Sequence, residues 1–142
     1  MKDFKQLLKQ NPDQLVLNSI KCPDGTILES RYRHNFVRHV QEDGREYFVD
    51  GGFEYQRIGH SDDDYENLSL TVLDDHSIIR ERFKWTRQLD ADGNHLTEPQ
   101  TIILKDITDG HLQALLSWTS SGYAWWINYV FVKEKEYRDE NT

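Results

Sequence analysis

Residues 19–58 read SIKCPDGTILESRYRHNFVRHVQEDGREYFVDGGFEYQRI, and this stretch decides the fold of the N-terminal half. It holds three turn signals between runs that alternate apolar and polar residues: Cys22-Pro23-Asp24-Gly25, Glu42-Asp43-Gly44 and Asp50-Gly51-Gly52. Glycine and aspartate suit tight turns, where the backbone takes positive φ. The pattern therefore predicts a small antiparallel sheet, and the residues expected to point into its core are Ile27, Phe36, Val40 and Phe48.

The flanking segments complete an α+β prediction. A short helix is expected over residues 2–10, ending at Asn11 because Pro12 disfavours the helical conformation of the residue before it. Strands are predicted over residues 15–22, 26–32, 35–41, 45–50, 53–58 and 68–72, with a further short strand at 101–104. After Leu73 the apolar period changes to that of helices, which are predicted over residues 75–87, from Thr108 or Asp109 to Ser120, and over 123–138. We expect one domain, residues 1–142, in which an N-terminal antiparallel β-meander is followed by helices packed on the sheet.

Composition limits the classes of partner. The chain has 142 residues, with 17 basic and 25 acidic side chains and a net charge of −8, which disfavours general binding to nucleic acid or anionic membranes. Cys22 is the only cysteine in the sequence, so an internal disulfide is excluded. The start lacks the apolar core of a signal peptide, and the longest apolar run, 123–132, is too short to span a bilayer. We expect a cytoplasmic protein with neither a membrane nor a nucleic acid as its partner.

No motif in the sequence names a reaction. A nucleophile elbow, a zinc-protease motif and a phosphate-binding loop are all missing from the sequence. His34 and His39 are five residues apart on one predicted strand and so point to opposite faces, whereas a zinc site needs four converging ligands. Asp62, Asp64 and Glu66 alternate as calcium ligands do, but the glycine and glutamate that such a loop needs further along are missing. We predict no catalytic residues, no metal and no cofactor.

The most suggestive group of side chains lies on the helix predicted over 75–87. The basic residues of this helix are spaced so that they share one face: His76, Arg80, Lys84 and Arg87. Aromatic and basic neighbours expected close to this stripe are Trp85, Tyr55 and Arg57. Guanidinium groups beside an aromatic plane suit phosphates and nucleobases, so we interpret the set as a binding site for a ligand or partner. The alternative is an ordinary solvated helix face.

The aromatic run 123–132 is apolar almost all round if it is helical, and such a helix must be covered on more than one side. We expect a second copy of the chain to supply part of that cover. The residues predicted at this oligomer interface are Tyr123, Trp125, Trp126, Tyr129 and Phe131. The alternative is burial within the core of one chain.

Several short motifs resemble those of small uncharacterised bacteriophage-encoded proteins. In the first half they are Thr26-Ile27-Leu28-Glu29-Ser30-Arg31, His34-Asn35-Phe36, Val49-Asp50-Gly51-Gly52, Tyr55 and Arg57. In the second half they include Asp74-Asp75-His76, Ile79-Arg80, Phe83-Lys84-Trp85 and Glu136-Tyr137-Arg138. The resemblance runs from residue 20 to residue 138 and implies a phage accessory protein made inside a bacterial host.

Two functions fit these observations. In the first, the chain is a non-catalytic phage accessory protein that binds a host defence or regulatory component, either a protein or a small nucleotide signal. It acts in the host cytoplasm as a homo-oligomer. In the second, it is a small phage enzyme that acts on a nucleotide or another phosphate-containing substrate. A purely structural role is a third option that the sequence leaves open.

Overall fold

The computed structural model describes residues 3–89, 92–121 and 124–142. Its contacts divide the chain into two compact units, Asp3–Leu73 and Asp74–Thr142, and each is described by itself. The first is mainly β-structure, and the second combines helices with a β-hairpin. The predicted α+β fold class is confirmed, and the single domain stays a prediction.

The first unit begins with helix α1, Phe4–Gln10, whose N-cap Asp3 accepts a hydrogen bond from the backbone N–H of Gln6. Its strands are β1 Leu15–Lys21, β2 Ile27–Ser30, β3 Val37–Val40, β4 Glu46–Asp50, β5 Arg57–His60, β6 Glu66–Asn67 and β7 Leu70–Thr71. β1 pairs antiparallel with β2, β6 and β7. β3, β4 and β5 form a second antiparallel sheet in that order. The predicted antiparallel region is therefore confirmed, as two small sheets.

The core of the first unit lies between these two sheets. One sheet and its turn contribute Ile20, Leu28 and Cys22, and β4 contributes Tyr47 and Val49, all at most 5% exposed. Apolar side chains that meet in this way are the main source of stability for so small a unit.

The residues predicted to point into this core lie elsewhere. The exposed fractions are 60% for Ile27, 49% for Phe36 and 45% for Val40, and Phe48 is half-buried. The neighbours of Phe48 in sequence, Tyr47 and Val49, are the buried residues of β4. Because side chains alternate along a strand, an error of one residue in choosing the inward position reverses the whole face.

The turn glycines have the conformation that the sequence predicted. Gly25, Gly44 and Gly51 have φ values of 93°, 88° and 109°, a region that suits glycine. The third turn is longer than predicted, because the carbonyl of Gly51 accepts hydrogen bonds from the N–H groups of Glu54 and Tyr55. The strand expected from residue 53 therefore begins at Arg57.

The second unit contains α2 His76–Arg82, β8 Lys84–Leu89, β9 His95–Ile103, α3 Asp109–Thr119 and α4 Trp125–Glu140. β8 and β9 form an antiparallel hairpin, and α4 packs on it through ring contacts of Phe131 with Phe83 and Trp85. The predicted cap of α3 is confirmed, because the Thr108 hydroxyl accepts a hydrogen bond from the backbone N–H of His111. None of the helices in the described part of the chain is long and apolar enough to cross a membrane.

Candidate functional site

The predicted basic stripe does not lie on one helix. α2 ends at Arg82, and Phe83 already has an extended backbone, with φ −70° and ψ 133°. Lys84, Trp85 and Arg87 therefore belong to strand β8, while His76 and Arg80 stay on α2. The prediction of a single helix over 75–87 is wrong.

The local sequence explains this change from helix to strand. From Phe83 onward, large side chains recur at every second position, at Phe83, Trp85, Arg87 and Leu89. A period of two is typical of a strand, and it places Trp85 and Arg87 on one face of β8, before the register shifts between Arg87 and Leu89. Long-range pairing of β8 with β9 then provides the hydrogen bonds that a continued helix would have made internally.

His76 and Arg80 face a buried carboxylate on α4. The side chain of Glu134 is 0% exposed, and its Oε1 accepts a hydrogen bond from Nε of Arg80 at 3.0 Å and lies 3.0 Å from Nε2 of His76. Its Oε2 accepts from Nη2 of Arg80 at 3.0 Å and from Nε of Arg138 at 2.7 Å. The Arg80 guanidinium also lies over the ring of Tyr137, 4.3 Å from its centroid. We call the four residues His76, Arg80, Glu134 and Arg138 the Glu134 cluster.

The electrostatics of the Glu134 cluster favour an ionised carboxylate and a neutral imidazole. Burial acts to raise the pKa of Glu134, but hydrogen bonds from Arg80, Arg138 and His76 outweigh it and hold that pKa below its usual value. The pKa of His76 is lowered, chiefly because burial disfavours the imidazolium. Since an ionised carboxylate only accepts, Nε2 of His76 is the nitrogen that carries the proton.

The Glu134 cluster joins two helices within the second unit. Arg138 extends it, donating to the carbonyl of Leu104 at 3.2 Å and to Asp109 at 2.9 Å. His76 and Arg80 were predicted to bind a ligand or partner. Nε2 of His76 and Nε and Nη2 of Arg80 are engaged with Glu134, and the two side chains are only 11% and 18% exposed. Here they hold α2 against α4, and a binding role for them stays a prediction.

Trp85 and Arg87 contribute to a different surface. The ring of Trp85 meets the ring of Trp118 on α3 at 5.8 Å, and Trp118 is 58% exposed. Arg87 follows on the same face of β8, and its Nε donates to Gln100 at 2.8 Å. His111 lies seven residues before Trp118, which places both on one side of α3. We call Trp85, Arg87, His111 and Trp118 the Trp118 surface.

On this surface, the positive charge of Arg87 affects the pKa of His111. The pKa of His111 is lowered, first by burial and then by the positive charge of Arg87. The imidazole is therefore neutral at pH 7 and available as a hydrogen-bonding group. Lys84, the other predicted binding residue on β8, pairs with Ile103 and lies on the opposite face of the strand.

The residues predicted at the oligomer interface have different surroundings. Phe131 is 0% exposed and packs on Phe83 and Trp85, so it belongs to the core of its own chain, which corrects its assignment to an interface. Trp125, Trp126 and Tyr129 are half-buried on α4. Nε1 of Trp126 is buried without a hydrogen-bond partner among the described residues. Tyr123 lies outside the described residues.

Arg57 lies in the first unit, on β5, where it makes two contacts. Its Nη2 donates to Oδ2 of Asp50 at 3.0 Å, and its guanidinium lies 4.9 Å from the centre of the Phe48 ring. The side chain of Arg57 is 61% exposed and that of Asp50 is 7% exposed. Asp50 Oδ1 is buried without a hydrogen-bond partner in the described part of the chain.

The candidate metal ligands are engaged with other side chains. His39 Nε2 lies 2.7 Å from Oδ2 of Asp24, and His34 Nδ1 lies 2.8 Å from the hydroxyl of Tyr55. Asp64 accepts hydrogen bonds from Tyr47 and Arg45. Across residues 3–89, 92–121 and 124–142, no three His, Cys, Asp or Glu side chains converge as a metal site would require.

Sequence reasoning missed Trp118, His111 and the exposed position of Phe36. The heptad spacing of His111 and Trp118 beside the buried Leu112 was visible in the sequence. The contact between Trp118 and β8 could not be predicted from the sequence, because residues 84–87 were predicted to be helical and form a strand.

No protein-family model matches this chain, and no match was found among the curated proteins or the solved structures. The resemblance to phage-encoded proteins therefore stays a prediction.

Proposed function

We propose that this chain is a non-catalytic phage accessory protein that binds a host defence or regulatory component in the host cytoplasm, and that it binds through the Trp118 surface. One observation carries the proposal: Trp118 is 58% exposed and is held by ring contact with Trp85. Tryptophan and arginine are among the side chains that most often dominate binding energy, and here Arg87 is two residues from Trp85 on the same face of β8.

The spacing within the Trp118 surface suits a nucleotide signal. Trp85 and Arg87 are two residues apart on a strand, which is about 7 Å. His111 and Trp118 are seven residues apart on a helix, which is about 10 Å. A base stacked on Trp118 would thus have its phosphate near Arg87 and His111, since aromatic stacking and guanidinium–phosphate bonds act together in such sites. A host protein that presents an aromatic side chain and a carboxylate is the second ligand class that this surface supports.

The enzyme alternative has one specific observation in its favour. Asp24 and His39 form a hydrogen-bonded pair at 2.7 Å, beside a groove of 620 Å³ that is also lined by Gln41 and Arg45. The hydrogen bond from His39 lowers the pKa of Asp24 to about 2, which keeps it ionised as an orienting group for a histidine base. This pair lies in the first unit and the Trp118 surface in the second, so the two functions are separable by substitution.

Tryptophan fluorescence tests the binding proposal, because the four tryptophans all lie in the second unit. We expect nucleoside monophosphates or cyclic dinucleotides to quench the emission and to be recovered unchanged after denaturation. Loss of one base–aromatic stack costs about 1–3 kcal/mol, so Trp118→Ala should weaken binding by about tenfold or more. Arg87→Gln should weaken it as well, and Lys135→Gln on the exposed part of α4 is the matched control.

Two outcomes would contradict the proposal. Recovery of a chemically altered nucleotide, lost in His39→Gln, would favour the enzyme. If neither nucleotides nor host proteins bind in a way that depends on Trp118, the proposed binding function is wrong.

Self-association is part of the proposal, through Trp125, Trp126 and Tyr129, which the chain leaves half-buried. Sedimentation velocity tests it, since a monomer at micromolar concentration would refute it.

A further inference from the structure

The outer face of the sheet β3–β4–β5 exposes apolar and basic side chains together. Arg38, Phe48 and Gly59 are directly paired across the three strands, so they share this face. Phe36 joins it through a ring contact with Phe48 at 4.7 Å, and Arg57 through its position over the same ring. We call the set Phe36, Arg38, Val40, Phe48 and Arg57 the Phe48 face.

The ring of Phe48 has a fixed position at the centre of this face. It lies across Gly59, where an added Cβ would come within 1.7 Å of Cε1 of Phe48. Phe36, 49% exposed, contacts this ring, and Val40, 45% exposed, is its diagonal neighbour on β3. Both keep much of their apolar surface open to solvent. A rigid aromatic centre with exposed apolar neighbours is typical of protein interfaces, because little side-chain entropy is lost on binding.

The outward charge at this centre is positive. Arg57 is bonded to Asp50, but the guanidinium is 61% exposed while the carboxylate is only 7% exposed. A guanidinium has five N–H donors, and the bond to Asp50 uses one of them. The stacking on Phe48 and the bond to Asp50 together orient the remaining donors in advance of any contact.

We propose that the Phe48 face is a docking surface for a protein segment that carries a carboxylate next to a large apolar side chain. The carboxylate binds the free donors of Arg57, and the apolar side chain covers Phe36 where it contacts the Phe48 ring. This face belongs to the first unit, whereas the Trp118 surface belongs to the second, and it is a second point of contact with a host component.

Charge argues for a protein segment over a nucleic acid. Arg38 on this face is paired with Glu46, which is 54% exposed, and the whole chain has a net charge of −8. A polyanion would also meet Glu46 on a chain of negative net charge, whereas a single carboxylate needs only Arg57.

Selection from a random peptide library displayed on phage, with the full chain as bait, tests the proposal. We expect enriched peptides to contain Asp or Glu beside Leu, Phe or Trp. Fluorescence polarisation should then show affinity lower by about tenfold or more in Arg57→Gln and in Phe36→Ser, as for interface residues that dominate binding.

The chain offers a matched control for each change. Arg33 is as exposed as Arg57 and paired with Glu54, and Ile27 is an exposed apolar residue on the other sheet. Arg33→Gln and Ile27→Ser should bind the selected peptides as the unmodified chain does. If Arg57→Gln is poorly folded by circular dichroism, Arg57→Lys replaces it, since it keeps the charge and removes the planar fork.

Three results would overturn the proposal: no enrichment of acidic–apolar peptides, equal loss of affinity in the control variants, or preferential binding of oligothymidylate through Arg57 and Phe36. The last result would assign the face to single-stranded nucleic acid.

Discussion

Two buried carboxylates, Glu134 in the second unit and Asp50 in the first, are each bonded to arginine, yet the two sites differ in what they present to solvent. At Glu134 the three partners are largely shielded as well: the exposed fractions are 18% for Arg80, 16% for Arg138 and 11% for His76, whose imidazole is neutral. At Asp50 the partner Arg57 is 61% exposed. Exposure of the cation, not the presence of the pair, distinguishes a structural contact from a group that is available for binding.

The same comparison explains why the basic stripe predicted from the sequence did not identify the residues that are available for binding. A basic residue that is largely buried together with its acidic partner stabilises the fold and presents little of its head group to solvent, since breaking such a pair leaves a charge in a medium of low dielectric. A basic residue whose partner is buried but whose own head group is exposed keeps its charge at the surface. Three substitution or titration experiments sharpen this contrast, and they differ in expected size.

The largest effect is expected from Glu134→Gln. This change leaves Arg80 and Arg138 without their buried carboxylate, which should lower the free energy of unfolding by about 3–5 kcal/mol. Denaturant titration followed by tryptophan fluorescence measures it. The control Glu136→Gln removes an exposed carboxylate from the same helix and should stay within about 0.5 kcal/mol of the unmodified chain. Equal effects of both changes would show that the Glu134 cluster adds nothing to stability.

Arg80→Gln and Arg57→Gln form a matched pair of substitutions. We expect Arg80→Gln to lower the free energy of unfolding more than Arg57→Gln does. Arg80→Gln removes two hydrogen bonds to a buried carboxylate, so we expect a loss of about 2–3 kcal/mol, less than for Glu134→Gln because Arg138 and His76 remain. Arg57→Gln removes one bond and leaves the Asp50 carboxylate, 7% exposed, without its cation, so a loss of about 1–2 kcal/mol is expected. Denaturation followed by far-UV circular dichroism measures both. An Arg80 variant as stable as the unmodified chain would restore Arg80 to the list of candidate binding residues.

The smallest effect is a fall in stability between neutral and mildly acidic pH. The pKa of His76 is lowered in the folded chain, so the unfolded chain takes up the proton first as pH drops below about 6.5. The stability is thus present above that pH and decreases as pH falls toward the folded pKa. Glu134, whose pKa is also lowered, adds a further decrease below about pH 4.3. Unfolding free energies at a series of pH values should show a flatter profile for His76→Gln above pH 5, and identical profiles would contradict the assignment.

Local signals in the sequence predicted the parts of the fold that depend on neighbouring residues. The glycine turns, the Thr108 cap of α3 and the end of α1 at Asn11 all follow from backbone preferences of a few adjacent residues. The same reasoning failed at Phe83–Leu89, where helix and strand patterns overlap over a short segment. There, pairing with β9, a distant stretch of chain, decided the outcome.

The candidate sites depended on the tertiary structure to a greater degree. The sequence identified Trp85, Arg87 and Arg57 as residues suited to binding. It did not show that Trp118 would meet Trp85, or that Glu134, 54 residues from Arg80, would accept its hydrogen bonds. Partners so far apart in the chain leave no periodic pattern between them.

By itself, then, the sequence determined the α+β class, the positions of the turns and the kinds of side chain available for binding, because these follow from local conformational preference and composition. The tertiary structure decided which face of β4 is buried and which cations are neutralised inside. Burial and charge pairing are properties of groups brought together by the fold. For that reason Phe48 and Arg57 form part of a surface, while His76 and Arg80 are largely shielded beside the buried Glu134.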